Sequence, residues 1–362
     1  MKKFLLLIPL LLTVLGVVAW KNNWIVFSEN ITDPKGKSLD SKIEKNIGYF
    51  AQYNFENLRN RKNKASKIDT IGSVLVVEEA RKTVVKIYLK DGIKKENNFE
   101  SKAISFESNG KKISGMMNVP SNPPSLKASD GQGKMPAIIM LRGYADNEGY
   151  FIGSGSWKAA DELARNGFVT ISLDFLGYGL SERESADILE ARFEKPVSVL
   201  DLIESVKKLD MVDSEKIGIW AHSNGGQIAI SVLEITGENY PTVLWAPMTN
   251  PFPKSVLDLV DETSEESLKV KQKIEDFEKE YDSKLYSIDN FYDWIEAPIL
   301  IHQGTSDVWC KVEWQEDLKS KLELLGKEIE LEIETGNDHN FKQSWDKVIE
   351  MDIEFFKEKF LI

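Results

Sequence analysis

The sequence predicts an α/β fold, a mostly parallel central sheet with helices on both faces, and three observations carry that expectation. From Ala137 onward, short apolar runs alternate with stretches of helical periodicity. The runs are apolar at successive positions, as in Ile217-Gly218-Ile219-Trp220, which fits strands buried on both faces. With 362 residues, 42% of them hydrophobic and 29% charged, the chain has apolar material for a large core.

The elements follow in order. Met1-Lys2-Lys3 and then an apolar segment from Phe4 to Val18 have the anatomy of an export signal. Residues 1–20 are expected to act as a cleaved signal peptide or as an uncleaved membrane anchor with Trp20 and Trp24 at the interface. Export across a membrane follows from either, so the protein is expected to be secreted or held on the extracytoplasmic side. Residues 21–98 read as a linker and a small accessory region, with a helix over Tyr49–Leu58 and strands at Ser73–Val77 and Thr83–Leu89. Residues 99–362 read as the catalytic domain.

That domain begins with a β-hairpin over 103–117, whose strands alternate around Asn109-Gly110. A polar loop runs from Pro120 to Lys134. Strands are then expected at Ala137–Leu141, Phe168–Leu173, Ile217–Trp220, Thr242–Trp245, Ile299–Ile301 and Ile329–Ile333. Helices are expected at Trp157–Asn166, Val197–Leu209, Gly226–Thr236, Val312–Leu325 and Ser344–Phe360. Between the fourth and fifth of these strands, residues 251–293 form a charged, helix-prone insertion, expected to project over one end of the sheet as a cap or lid.

The chemistry-bearing stretch is Ala221-His222-Ser223-Asn224-Gly225-Gly226, between an apolar strand and a helical run. A tight strand-to-helix turn of this kind lifts a serine hydroxyl to the sheet edge. The hydroxyl needs a base, itself oriented by a carboxylate, and on such sheets the chain order is serine, acid, histidine. Of the three histidines, His222 adjoins the serine and should point away from its reacting face. His302 ends a strand and is expected to shape the acid loop. His339 lies in a polar loop between the last strand and the last helix and is the candidate base. Asp307 follows the strand at 299–301 and is the candidate acid, with Asp338 as its rival. The backbone amides of Asn224 and of Tyr144, in the loop after the first central strand, are candidate oxyanion donors. Cys310 is the only cysteine, so no internal disulfide can form, and it reads as a bystander.

These motifs resemble the α/β-hydrolase superfamily and, within it, the catalytic domain of prolyl oligopeptidase-like serine peptidases. The resemblance covers residues 100–360 and rests on Arg142-Gly143-Tyr144, the run 174–181, His222-Ser223-Asn224-Gly225-Gly226, Gly304-Thr305-Ser306-Asp307 and Asp338-His339-Asn340-Phe341. It implies Ser223 as nucleophile, Asp307 as acid and His339 as base, with a peptide substrate and no metal or organic cofactor. Two departures stand out: Ala221 replaces the first glycine of the elbow, and Arg142 stands where prolyl oligopeptidases place an oxyanion-binding tyrosine. The short N-terminal region is also too small for their gating propeller. A carboxylesterase with the same triad is the first alternative, and a catalytically inactive anchored binding module the second. A net charge of −12 argues against a nucleic-acid partner.

Overall fold

The computed structural model describes residues 48–73, 95–96, 98–121, 133–258 and 264–362. The leader at 1–20, the linker up to residue 47, the strands expected after Ser73 and most of the 120–134 loop lie outside these residues. Among the described residues, no helix is long and apolar enough to cross a membrane.

The ten described strands form one sheet. They are β1 (Asp69–Ser73), β2 (Lys95–Glu96), β3 (Phe99–Ser108), β4 (Lys111–Pro120), β5 (Met135–Leu141), β6 (Val169–Leu173), β7 (Val212–His222), β8 (Thr242–Trp245), β9 (Ile299–Gly304) and β10 (Ile329–Glu334). Their order is β1-β3-β4-β6-β5-β7-β8-β9-β10, with β2 also pairing β3. From β6 to β10 every pairing is parallel; β4 joins β6 antiparallel and carries the hairpin on that edge. The hairpin pairs Ser108 with Lys111, and both turn residues have positive φ (Asn109 49°, Gly110 76°), which an Asn-Gly turn tolerates.

The alternation of strand side chains sorts the core onto two faces. Ala137, Ile139, Leu141, Ile217, Ile219 and Ala221 enter one buried cluster, while Ile138, Met140 and Trp220 enter the other. The second face is covered by α2 (Trp157–Arg165) and α8 (Trp345–Phe360), through residues such as Leu163 and Phe356. The first is covered by α1 (Phe55–Arg59), α3 (Ile188–Val206), α4 (Asn224–Thr236) and α7 (Val312–Leu324).

Three features differ from expectation or extend it. The helix expected at Tyr49–Leu58 is a 3-10 turn, Tyr49–Tyr53, followed by α1, whose cap Asn54 accepts from the Asn57 amide at 2.7 Å. Tyr53, Phe55 and Leu58 are buried in the main core, and β1 pairs with β3, so this stretch is joined to the same body. The helix expected from Val197 starts nine residues earlier, at Ile188. Pro196 has no N–H to give to a helix. Here it sits inside the helix, which Asp187 caps by accepting from the Leu189 and Glu190 amides, and which Phe193, Val197 and Leu200 anchor in the core.

The insertion between β8 and β9 is helical: α5 (Lys254–Leu257), α6 (Glu265–Glu280) and three 3-10 turns between Ser283 and Trp294. Its aromatic residues seat it on α3 and on the 48–59 stretch. Phe277 lies 5.5 Å from Phe50 and 5.7 Å from Phe193 between ring centroids, and Tyr286 lies 5.0 Å from Phe193.

Candidate active site

Ser223 occupies the junction of β7 and α4. Its backbone (φ 55°, ψ −122°) is strained for a residue with a Cβ, and such strain persists only where surrounding contacts fix it. Three hydrogen bonds do so here: the Ser223 amide donates to the Trp245 carbonyl, and the Ser223 carbonyl accepts from Gly226 and Met248, all at 2.9 Å. Glycine is required at Gly225, where an added Cβ would meet the Leu141 carbonyl oxygen at 2.3 Å. Ala221 is wholly buried in β7, and its methyl group is accommodated there without loss of the turn.

The loop after β9 carries Asp307, and the loop after β10 carries His339. The two are tied together by the Ser306 amide donating to the Asn337 carbonyl at 2.9 Å. His339 Nδ1 donates to Asp307 Oδ2 at 2.7 Å. Since a carboxylate only accepts, this bond places the ring proton on Nδ1 and leaves Nε2 with its lone pair. Asp307 Oδ1 accepts from the amides of Trp309 (2.8 Å) and Cys310 (3.0 Å). Burial pushes the Asp307 carboxyl up, but the His339 bond and these two amides outweigh it and hold it below its ordinary range. Asp338, the rival acid, faces elsewhere: it accepts from the Asn340 and Lys342 amides and pairs with Lys342 Nζ at 3.1 Å.

The acid loop is shaped by Gln303 rather than by His302. Gln303 Nε2 reaches Asp307 Oδ2 at 3.2 Å and the Cys310 carbonyl at 2.9 Å, and Gln303 Oε1 accepts from Gln315 at 3.1 Å. The expectation for His302 misses by one residue because consecutive strand side chains face opposite sides of the sheet. His302 instead donates from Nε2 to Asp352 Oδ1 at 3.0 Å, deep beneath the site, where Asp352 Oδ2 also accepts from the indoles of Trp220 (3.0 Å) and Trp245 (2.8 Å).

His222 does more than point away. Its Nε2 donates to the His339 carbonyl at 2.9 Å, and the two imidazole rings lie 4.7 Å apart. Burial, and then the neighbouring His339, push the His222 ring down to about 4, so at neutral pH it is an uncharged clamp between elbow and base loop. Its adjacency to the serine was the available signal; its target could not be read from the chain. Cys310 is buried with its thiol pushed up by burial, which fits the bystander reading. Its ligand atom lies within 4.8 Å of those of Asp307 and His339, but both of those groups are bonded to each other.

The loop after β5 approaches the serine closely. A Cβ added at Gly143 would stand 2.7 Å from Ser223 Cβ, so only glycine admits the loop, and the next residue is Tyr144. The Tyr144 side chain is 80% exposed. Asn224 is the first residue of α4, where backbone N–H groups have no acceptor within the helix.

Arg142 turns inward and braces this loop. It donates to the carbonyls of Asp174 (2.7 Å) and Gly143 (2.8 Å) and to the Tyr150 hydroxyl (3.0 Å), with its guanidinium 4.0 Å from the Tyr178 ring centre. Asp174 in turn accepts from Tyr150 at 2.9 Å, Gly153 at 2.7 Å and Ser114 at 2.5 Å.

Comparison with known proteins places this geometry in context. A profile of the prolyl oligopeptidase family matches residues 156–361. The chain is 26% identical over 102 residues to an uncharacterized 31.7 kDa protein from the traX-finO intergenic region of Escherichia coli; the match spans 28% of this chain and 34% of that one. Among solved structures, an acetyl xylan esterase from Paenibacillus sp. R4 aligns with a TM-score of 0.57 and 14% identity, over 83% of this chain and 91% of that one. A puromycin-hydrolyzing peptidase from Mycobacterium tuberculosis aligns with a TM-score of 0.55 and 15% identity, over 71% and 39%. An acylaminoacyl peptidase from Pyrococcus horikoshii aligns with a TM-score of 0.52 and 18% identity, over 73% and 42%. At such identities the likeness is one of fold, shared by peptidases and esterases alike.

Proposed function

Because this chain belongs to the prolyl oligopeptidase family of serine hydrolases, we propose that it cleaves peptide bonds with Ser223 as nucleophile, His339 as base and Asp307 as orienting acid. The observation that carries this reading is the 2.7 Å bond from His339 Nδ1 to Asp307, on two loops tied to each other, the His339 loop being tied to the elbow by His222. Ser223 Oγ attacks the acyl carbon while its proton passes to His339 Nε2. The resulting oxyanion accepts from the Tyr144 and Asn224 amides. His339 then returns the proton to the departing amine, which leaves an acyl-serine. Water, deprotonated by His339, attacks that ester and releases the acid and free Ser223. Each oxyanion donor in such a site is worth about 100- to 1000-fold in rate.

Carboxylesterase activity is the second reading, favoured by the acetyl xylan esterase likeness over most of both chains. A panel of peptide amides and short-chain esters separates them. Peptide cleavage supports the first reading; ester turnover with no peptide cleavage replaces it with the second. We further propose, from the basic start and apolar run at residues 1–18, that the enzyme is exported. Fractionation of cells making the full chain tests this, and recovery in the cytosol alone contradicts it.

A further inference from the structure

Beside Asn224 lies a small cavity, walled by α3, α4, the 48–59 stretch and the insertion. Its volume is about 30 Å3, room for about two waters or one carboxylate group. The polar lining includes Arg192, Lys195, Asn224, Gln227 and Ser231; Phe55 and Ile288 are among the apolar residues.

The two cations are half-buried. Arg192 donates to Gln227 Oε1 and, at 2.8 Å, to Ser255 Oγ, both neutral acceptors. Gln227 is itself held by its Nε2, which donates to the Asn250 carbonyl at 2.9 Å, so the guanidinium has a fixed position. Among the described residues neither Arg192 nor Lys195 forms an ion pair, although α3 carries two nearby glutamates. Both are committed elsewhere: Glu190 bonds Tyr53 at 3.1 Å and Ser185 at 2.6 Å, and Glu194 pairs with Lys111 at 2.9 Å. Burial pushes Lys195 down to about 8, with Arg192 and Arg142 adding to it against Glu184 and Glu194, and burial pushes Arg192 down to about 10. Two partly desolvated cations without an ion-pair partner, next to the residue that follows the candidate nucleophile, form an acceptor for an anionic group.

We propose that this cavity receives a carboxylate of the substrate, so that the enzyme selects acyl compounds or peptides bearing a free acid close to the scissile bond. The proposal rests on Ser223 being the nucleophile. It adds a specificity role for Arg192 and Lys195.

The test compares p-nitrophenyl monoglutarate with neutral p-nitrophenyl valerate, and a short peptide with its C-terminal amide. The first pair reads a carboxylate on the acyl side, the second one on the leaving side. In one pair the wild type should favour the acid in kcat/KM by about tenfold or more, the worth of one charge-assisted hydrogen bond. That ratio should fall towards one in Lys195→Met, Lys195→Gln and Arg192→Gln. A ratio near one in both pairs for the wild type, or a preference unchanged in folded variants, overturns the proposal. If none of these substrates is turned over, fluorophosphonate labelling of Ser223 decides the triad separately, and the cavity is read by calorimetry with glutarate. Binding lost in the Lys195 variants upholds it, and no binding by the wild type overturns it.

Discussion

His302 and His339 each bond an aspartate, through opposite ring nitrogens. His339 gives Nδ1 to Asp307 at 2.7 Å, which leaves its far nitrogen, Nε2, as the one with a lone pair. His302 gives Nε2 to Asp352 at 3.0 Å, which leaves Nδ1, the atom nearest its own backbone, buried and without a partner. Neither aspartate side chain meets solvent, but Asp307 is a half-buried loop residue while Asp352 lies in the core, and their protonation preferences diverge. At Asp307 burial is outweighed by His339 and two backbone amides, and the carboxyl is held down. At Asp352 burial wins over His302 and two indoles, and the carboxyl is pushed up. The same two residue types thus make the proposed acid–base pair in one place and a core tie in the other. What separates them is which nitrogen is committed and how deep the pair lies.

The sharpest break of this comparison is Asp307→Asn. It should keep the fold but lose about 10⁴-fold in kcat, because the imidazole takes the wrong tautomer. Steady-state kinetics check it, and a loss of less than about tenfold would contradict the role given to Asp307. At the other pair the effects should be reversed. Asp352→Ala strands His302 and two indole N–H groups in the core, and should cost about 3–5 kcal/mol of stability in denaturant unfolding. Activity per folded molecule should be retained; a kcat loss as deep as that of Asp307→Asn would erase the distinction.

The smallest effect comes from a carboxyl with neither kind of partner. Glu234 in α4 is buried with both oxygens unbonded, and burial, then Asp289 and Asp293, push it well above the usual range. The folded chain therefore holds a proton that the unfolded chain releases, so Glu234 lowers stability progressively as pH rises above the unfolded value. Glu234→Gln should raise the melting midpoint by about 2–4 °C near pH 8, and by less near pH 5. An equal shift at both would show that titration is not the cause.

Much of the candidate site was legible because it rests on local patterns. A serine between an apolar strand and a helix, a strand followed by Gly304-Thr305-Ser306-Asp307, and a histidine in the last loop are each short and fall in a fixed order. What the chain could not display are contacts made by packing. Gln303 and His302 are neighbours, and only the register of β9 decides which meets the acid loop. Arg142 looked like a substitution at the oxyanion site, but its donors are taken by Asp174, Gly143 and Tyr150. The cations of the cavity beside Asn224 lie in the nine residues by which the helix starts ahead of its expected start at Val197. They become a feature only where residues 48–59 and the insertion close over them.

The central claim is that Ser223 is a nucleophile activated by the His339–Asp307 pair. Treating the folded full-length protein with a fluorophosphonate and locating the adduct by mass spectrometry tests it directly. The expected result is one adduct, on Ser223, absent in Ser223→Ala and strongly slowed in Asp307→Asn but formed normally in folded Asp352→Ala. No adduct on the folded wild type, or labelling that survives Ser223→Ala, would contradict it.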